Sequence, residues 1–355
     1  MIEHKLVPCS VYQQDQYMAE DTTTGGWVRC MYSDAIEYTT SSNSLRGVIF
    51  LVGGIGGALA AAFICSLTGA VLYDNFSGLM GGGQHVWTYT IIGVPGFLIF
   101  LAAGIWALRY FGRMEFFLPL DLPIIFDRKH RKVYRLLEDL DDKGQPKQRG
   151  QALVIEHDWD DIVAEHHVTT ATTGSSVQRH HTLVLMVRDK NTGDFKGPIT
   201  PTNLPPYVDG FGLGDAKVLT EFSTPRIWEH VRRYMNENGP SLPPGEQLAD
   251  TTVPVTWWDS LGAVSVFGPG YVKRWRDGWG WMAIMHLLSP LTLPLAIIMA
   301  TTNWASYKTA YPVQWPQEVL DKIGPPLTQA DLHAQASTAE RMTSQGANKR
   351  NRARS

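Results

Sequence analysis

The chain has 355 residues, 18% of them charged, and a formal net charge of −3. That balance excludes a protein built mainly to bind nucleic acid, which would carry a basic excess. Its three cysteines, Cys9, Cys30 and Cys65, are an odd count and exclude a disulfide framework.

Residues 1–45 form a polar, mixed N-terminal segment, with Gly25, Gly26 and runs of Thr and Ser as loop chemistry. The basic-then-apolar pattern of a cleaved signal is missing. Trp27, Val28, Met31 and Tyr32 are its candidates for packing on a folded domain or at a membrane surface.

Residues 46–109 are the stretch around which the chain is organised. Between Arg46 and Arg109 there is no Lys or Arg, and the one acid is Asp74. Apolar runs at 47–73 and 86–108 are joined by a polar link at 74–85. Each run exceeds the roughly 20 residues, at about 1.5 Å rise each, that span a bilayer core. The expectation is a transmembrane helical hairpin, since a soluble core helix would be shorter and carry a polar face. Gly53, Gly57, Ala61 and Cys65 recur every four residues, a ridge that lets helices approach closely in lipid. Arg46, Arg109 and Arg113 flank the hairpin while the link has no basic residue. The positive-inside rule then puts the link outside and both flanks in the cytoplasm.

From residue 114 the character changes to a soluble α+β domain, 114–240. Apolar runs at 123–126 and 133–137 flank the charged 127–132 (DRKHRK), a β-hairpin pattern. Its tip offers Arg128, Lys129, Arg131 and Lys132 to anionic headgroups of the inner leaflet; the alternative is an ordinary charged turn. Runs at 152–155, 162–168 and 181–187 read as strands, and 169–178 as a turn. A turn centred on Gly174 would set His167 opposite His181. A helix over 224–238 is capped by Thr224, has Pro225 in its first turn, and stops at Gly239 and Pro240. Its apolar stripe contains Ile227, Trp228, Val231 and Met235, with Trp228 the domain-core residue. Strand hairpins followed by one amphipathic helix predict a β-rich, pleckstrin-homology-like shape.

Residues 241–277 read as a Pro-rich and aromatic linker. A third apolar segment, 278–307, is interrupted by Pro290 and Pro294, so it predicts a kinked or re-entrant membrane helix. Lys273, Arg274 and Arg276 mark its cytoplasmic side, and Trp275, Trp279, Trp281 and Trp304 bracket it as an interfacial belt. The tail, 308–355, is polar and expected to be disordered beyond Pro325. Three full spans would place it outside.

Five histidines, His157, His166, His167, His180 and His181, fall close together. His157 and Asp158, with Asp160 and Asp161, offer a metal-phosphohydrolase-like pattern. It lies on strand rather than helix and has no second ligand motif, so the expectation is a solvated strand face without metal. Phosphate-loop, dinucleotide-binding and nucleophile-elbow motifs are missing, which predicts a non-enzyme without cofactor. His286 is the ionisable group expected within the spans, too few for an ion path.

The segment MEFFLPLDLPIIFDRKHRKVYR after a helical hairpin, then WDDIVAE and IWEHVRRYMNENGP, resembles an uncharacterised family of bacterial membrane proteins. Its members are often encoded beside type VI secretion genes, near spike and toxin loci. The resemblance implies an inner-membrane accessory or immunity protein acting on a toxin or secretion component. The alternative is a membrane-anchored sensor or scaffold that binds lipid headgroups or protein.

Overall fold

The computed structural model describes residues 8–40, 46–81, 86–138, 152–173, 176–188, 210–213, 219–328 and 331. In chain order the strands β1 (Ser10–Tyr12), β2 (Val28–Met31) and β3 (Ala35–Tyr38) come first. A π-helical stretch, Phe50–Gly56, runs into α1 (Gly57–Met80), and α2 (Trp87–Glu115) follows. Then come β4 (Ile124–Asp127), β5 (Lys132–Glu138), β6 (Ala152–Asp158), β7 (Ile162–Thr173), β8 (Ser176–Val187) and β9 (Gly210–Leu213). Five helices complete the order: α3 (Ser223–Asn236), α4 (Trp257–Val264), α5 (Tyr271–Asp277), α6 (Trp279–Thr309) and α7 (Gln317–Ile323). The protein is thus α+β. It divides into unit 1, drawn from 1–42, 121–251 and 312–355, and unit 2, drawn from 43–120 and 252–311.

Unit 1 holds two antiparallel sheets, β2-β3-β4-β5-β6 and β1-β7-β8-β9. β4 and β5 form the expected hairpin, with Asp127 opposite Lys132. The strands are rich in β-branched and aromatic residues, which suit a half-buried pleated surface. Trp159, Trp228, Tyr38, Tyr134, Tyr234 and Phe126 are its largest fully buried side chains. The described part of the N-terminal segment belongs to this core, one of the two placements expected for Trp27, Val28 and Met31. β3 pairs with β4, β1 pairs with β7, and Trp27, Val28 and Met31 are buried with Trp228. The region expected as tail also joins in. Val313, Trp315, Val319 and Ile323 are buried, and the Leu327 N–H bonds the Met31 carbonyl at 2.8 Å. Residues 332–355 lie outside the described residues.

Three details of the sequence reading are corrected in unit 1. β7 and β8 continue to Thr173 and from Ser176, so the turn is far shorter than 169–178. Its register pairs Val168 with His181 and His167 with Thr182. A one-residue slip reverses which face each side chain occupies, so His167 and His181 do not face each other. Thr224 does not cap α3. Its hydroxyl donates to the Thr220 carbonyl from inside the helix, and the N-cap is Phe222. At the other end Asn238 takes a left-handed φ of 52°, and the Gly239 N–H returns to the Arg233 carbonyl.

Unit 2 contains three helices long and apolar enough to cross a membrane: 50–80, 87–115 and 279–309. α1 extends into the expected link as far as Met80, and Asn75 in its last turns meets its hydrogen-bonding needs across the hairpin. Its side chain accepts from the Val86 N–H at 2.9 Å and donates to Thr90 Oγ1 at 3.1 Å. α2 passes Arg109 and ends at Glu115, since Arg109 and Arg113 are good helix formers that suit the negative end of the helix dipole. Pro290 and Pro294 lie inside α6, which is one continuous helix and not a re-entrant pair. The region expected as linker carries α4 and α5. α4 starts with a reciprocal capping box between Thr256 and Asp259.

Candidate functional site

The histidines fall into two separate groups across β7, because side chains alternate along a strand. His166 and Glu165 are both buried but point to opposite faces. On one face Tyr12 Oη lies 3.1 Å from His166 Nδ1, and His166 Nε2 lies 2.9 Å from His181 Nδ1. One consistent assignment has the phenol donating to His166, whose Nε2–H donates to His181. Burial holds His166 below its ordinary pKa and pushes Tyr12 up to about 12. Both are therefore neutral near pH 7, and the chain is a hydrogen-bonded strut across β1, β7 and β8. On the other face the Glu165 carboxylate accepts from Arg188 and lies 3.0 Å from His167 Nε2.

His157 is buried on β6, and its ring stacks on Phe211 with centroids 6.0 Å apart. The neighbouring acids are used elsewhere: Asp158 with Lys132 at 2.9 Å and Asp160 with Arg131. Among the described residues no group of three or more His, Cys, Asp or Glu could hold a metal ion.

The β4–β5 tip brings its four basic residues together, but three have acidic partners. Arg128 bonds Asp34 at 3.0 Å and lies over the Tyr234 ring. Arg131 reaches Asp160, and Lys132 bonds Glu156 at 2.8 Å, which raises its pKa. Lys129 is exposed. Trp228 is fully buried beside Trp159, with ring centroids 5.5 Å apart. Gly53 lies so close to Phe111 that a Cβ would stand 2.5 Å from its ring. Likewise Gly57 faces Ala107, and Ala61 faces Gly104. The small-residue ridge is the α1–α2 contact.

Buried polar pairs that sequence reasoning missed tie unit 1 together. Tyr38 Oη meets His230 Nδ1 at 2.6 Å, and His230 Nε2 donates to the Pro240 carbonyl. Burial pushes His230 down to about 4. Glu229, fully buried, accepts from Arg232 at 2.7 Å, Arg233 at 2.6 Å and the Met18 N–H at 3.1 Å. Trp315 donates to Glu37 at 2.7 Å. Glu229 meets Arg232 and Arg233 at the local i,i+3 and i,i+4 helix spacings, but the other partners lie up to 278 positions apart, beyond any local pattern.

A family model described as a family of unknown function, DUF6708, matches residues 100–323. No functionally described protein and no solved structure matches the chain.

Proposed function

The chain belongs to that family of unknown function, and we propose that it is a non-enzymatic, membrane-anchored binding protein. The observation that carries this reading is how the two units use their side chains. Unit 2 turns large apolar groups outward on three long helices, while unit 1 commits its buried ionisable groups to structural pairs. The resemblance of the 114–135, 159–165 and 227–240 segments to bacterial proteins encoded near type VI secretion loci supplies the context. The protein is then an inner-membrane accessory or immunity protein, with unit 1 in the cytoplasm as a pleckstrin-homology-like module that captures a toxin or secretion component.

The test is co-expression with the toxin encoded nearest to its gene. Protection of the cell and a complex that survives purification in detergent are expected. Unchanged toxin sensitivity together with no complex would overturn the immunity role. Loss of secretion on deletion, with sensitivity unchanged, would identify a scaffold.

A further inference from the structure

We propose that a cleft in unit 2, between residues 257–277 and α6, binds an anionic phospholipid. The proposal rests on reading the three long helices as membrane spans.

Chain parity places the cleft. Segments before α1, after α2 and after α6 share one fold: β3 pairs with β4, and Leu327 bonds Met31. One folded unit lies on one side of a bilayer. The chain therefore crosses an even number of times between residues 251 and 312. α6 is one crossing, so residues 257–277 make the other, as a broken helix. The packing inside unit 2 traces that path. Trp257 Nε1 donates to Thr301 Oγ1 at 3.1 Å, and Leu261 packs on Ala296 and Ala300. Farther along, Tyr271 Oη lies 2.7 Å from His286 Nε2, and Trp275 lies against the same ring. α4 and α5 thus run antiparallel to α6, from its C-terminal end back to its start. At about 1.5 Å per residue, Thr301 to Trp281 spans roughly 30 Å, the thickness of a hydrocarbon core.

The break between α4 and α5 is built for that depth. Non-helical backbone within a membrane must find its partners inside the protein. The carbonyls of Ser265 and Pro269 accept from the Arg274 guanidinium, and that of Phe267 accepts from Ser265 Oγ. Those of Gly268 and Gly270 accept backbone N–H groups from the first turn of α5. Gly268, at φ 116°, sits so close to Gly262 that a Cβ would stand 2.5 Å from its backbone.

The cleft is about 450 Å³ and lined by Phe267, Trp281, Met285, Leu293, Ala296 and Met299, among others. An adjoining space of about 320 Å³ shares Trp281 and opens beside Arg274 and Asp277. Lys273, Arg274 and Arg276 stand at this end, the reverse of the cytoplasmic side expected for them from the positive-inside rule, and among the described residues none has an acidic ion-pair partner. Among the described residues the Arg274 guanidinium bonds uncharged carbonyls. Three cations against the one carboxylate of Asp277 leave the mouth positive. An apolar slot at acyl-chain depth under a cationic mouth at headgroup level matches a phosphodiester-linked acyl chain.

The test uses the full-length protein. In sealed vesicles and a cysteine-free background, an impermeant maleimide should modify Arg276→Cys and Lys129→Cys from opposite sides. Modification of both from one side overturns the fourth crossing. Retention in the membrane pellet at alkaline pH checks the membrane reading separately. In mild detergent, native mass spectrometry should show phosphatidylglycerol held in preference to phosphatidylcholine. Lys273→Ser with Arg276→Ser should weaken retention about twenty-five-fold, at about fivefold per basic residue. Ala263→Trp, which fills the cleft without touching the cations, should also release the lipid. Equal retention of both lipids, indifference to both variants, or competition by inorganic phosphate as strong as by lipid overturns the site.

Discussion

Unit 1 and unit 2 hide opposite kinds of side chain. In unit 1 the buried set is dominated by large apolar groups such as Trp159, Trp228 and Phe126. In unit 2 Phe63, Leu67, Ile91 and Leu291 are more than half exposed, while Ala61, Ala107, Asn75, Glu115 and Ser306 are buried. Water drives apolar area inward, at roughly 25 cal/mol per Å². Lipid offers no such drive, so helices there meet through small residues and shared hydrogen bonds. Glu115 is a shared hydrogen-bond partner in unit 2, accepting from the Gly47 N–H at 2.6 Å and from Ser306 Oγ at 3.0 Å.

The largest expected effect sharpens the contrast from the unit 1 side. Trp228→Ala should cost about 3–5 kcal/mol through the cavity it leaves. Thermal unfolding of the detergent-solubilised full-length protein, followed by near-ultraviolet circular dichroism, checks it. An unchanged midpoint would mean that the core does not depend on this ring. The isolated fragment 114–240 is a poor vehicle, because it lacks β1–β3 and the α7 region.

Acid should weaken unit 1 next. His230 titrates near 4 when folded and near 6.5 when unfolded, because burial penalises its charged form. Its contribution is complete above pH 6.5 and is lost as pH falls from there toward 4, since the unfolded chain takes up the proton first. The loss is on the order of 3 kcal/mol by linkage. His166, also held low, acts in the same direction. Denaturant midpoints at pH 7 and pH 4.5 check this, and His230→Gln should flatten the difference.

On the unit 2 side, Gly104→Leu should cost about 1–3 kcal/mol by overpacking, because even a Cβ there meets Ala61 at 3.0 Å. Exposed Leu67→Ala should change little in lipid. If Leu67→Ala is the worse of the two, unit 2 is organised like unit 1 and the contrast fails. The smallest effect belongs to the β4–β5 tip. Lys132→Ala breaks surface ion pairs with Glu156 and Asp158 and should cost about 1 kcal/mol or less. Urea titration in low and high salt measures it.

Sequence alone determined what periodicity and composition can encode. α1 and α2 followed from uninterrupted apolar runs, whereas Pro290 and Pro294 left the continuity of α6 to be decided by the structure. The β4–β5 hairpin followed from two apolar runs around DRKHRK, and the buried stripe of α3 from the spacing of Ile227, Trp228, Val231 and Met235. Each is a local property in which the signal lies within a few turns or strands. Only the tertiary structure decided which distant pieces share a core. Tyr38 is paired with His230 across 192 positions, Trp315 with Glu37 across 278, and Met31 with Leu327. It also set the β7–β8 register, which a single residue in the turn shifts, and it drew Arg128, Arg131 and Lys132 to acids on neighbouring elements. The physical reason is common to all of them. Burial and pairing reward contacts between surfaces that meet only after the chain has folded, and nothing within a short window of sequence records which surface will arrive.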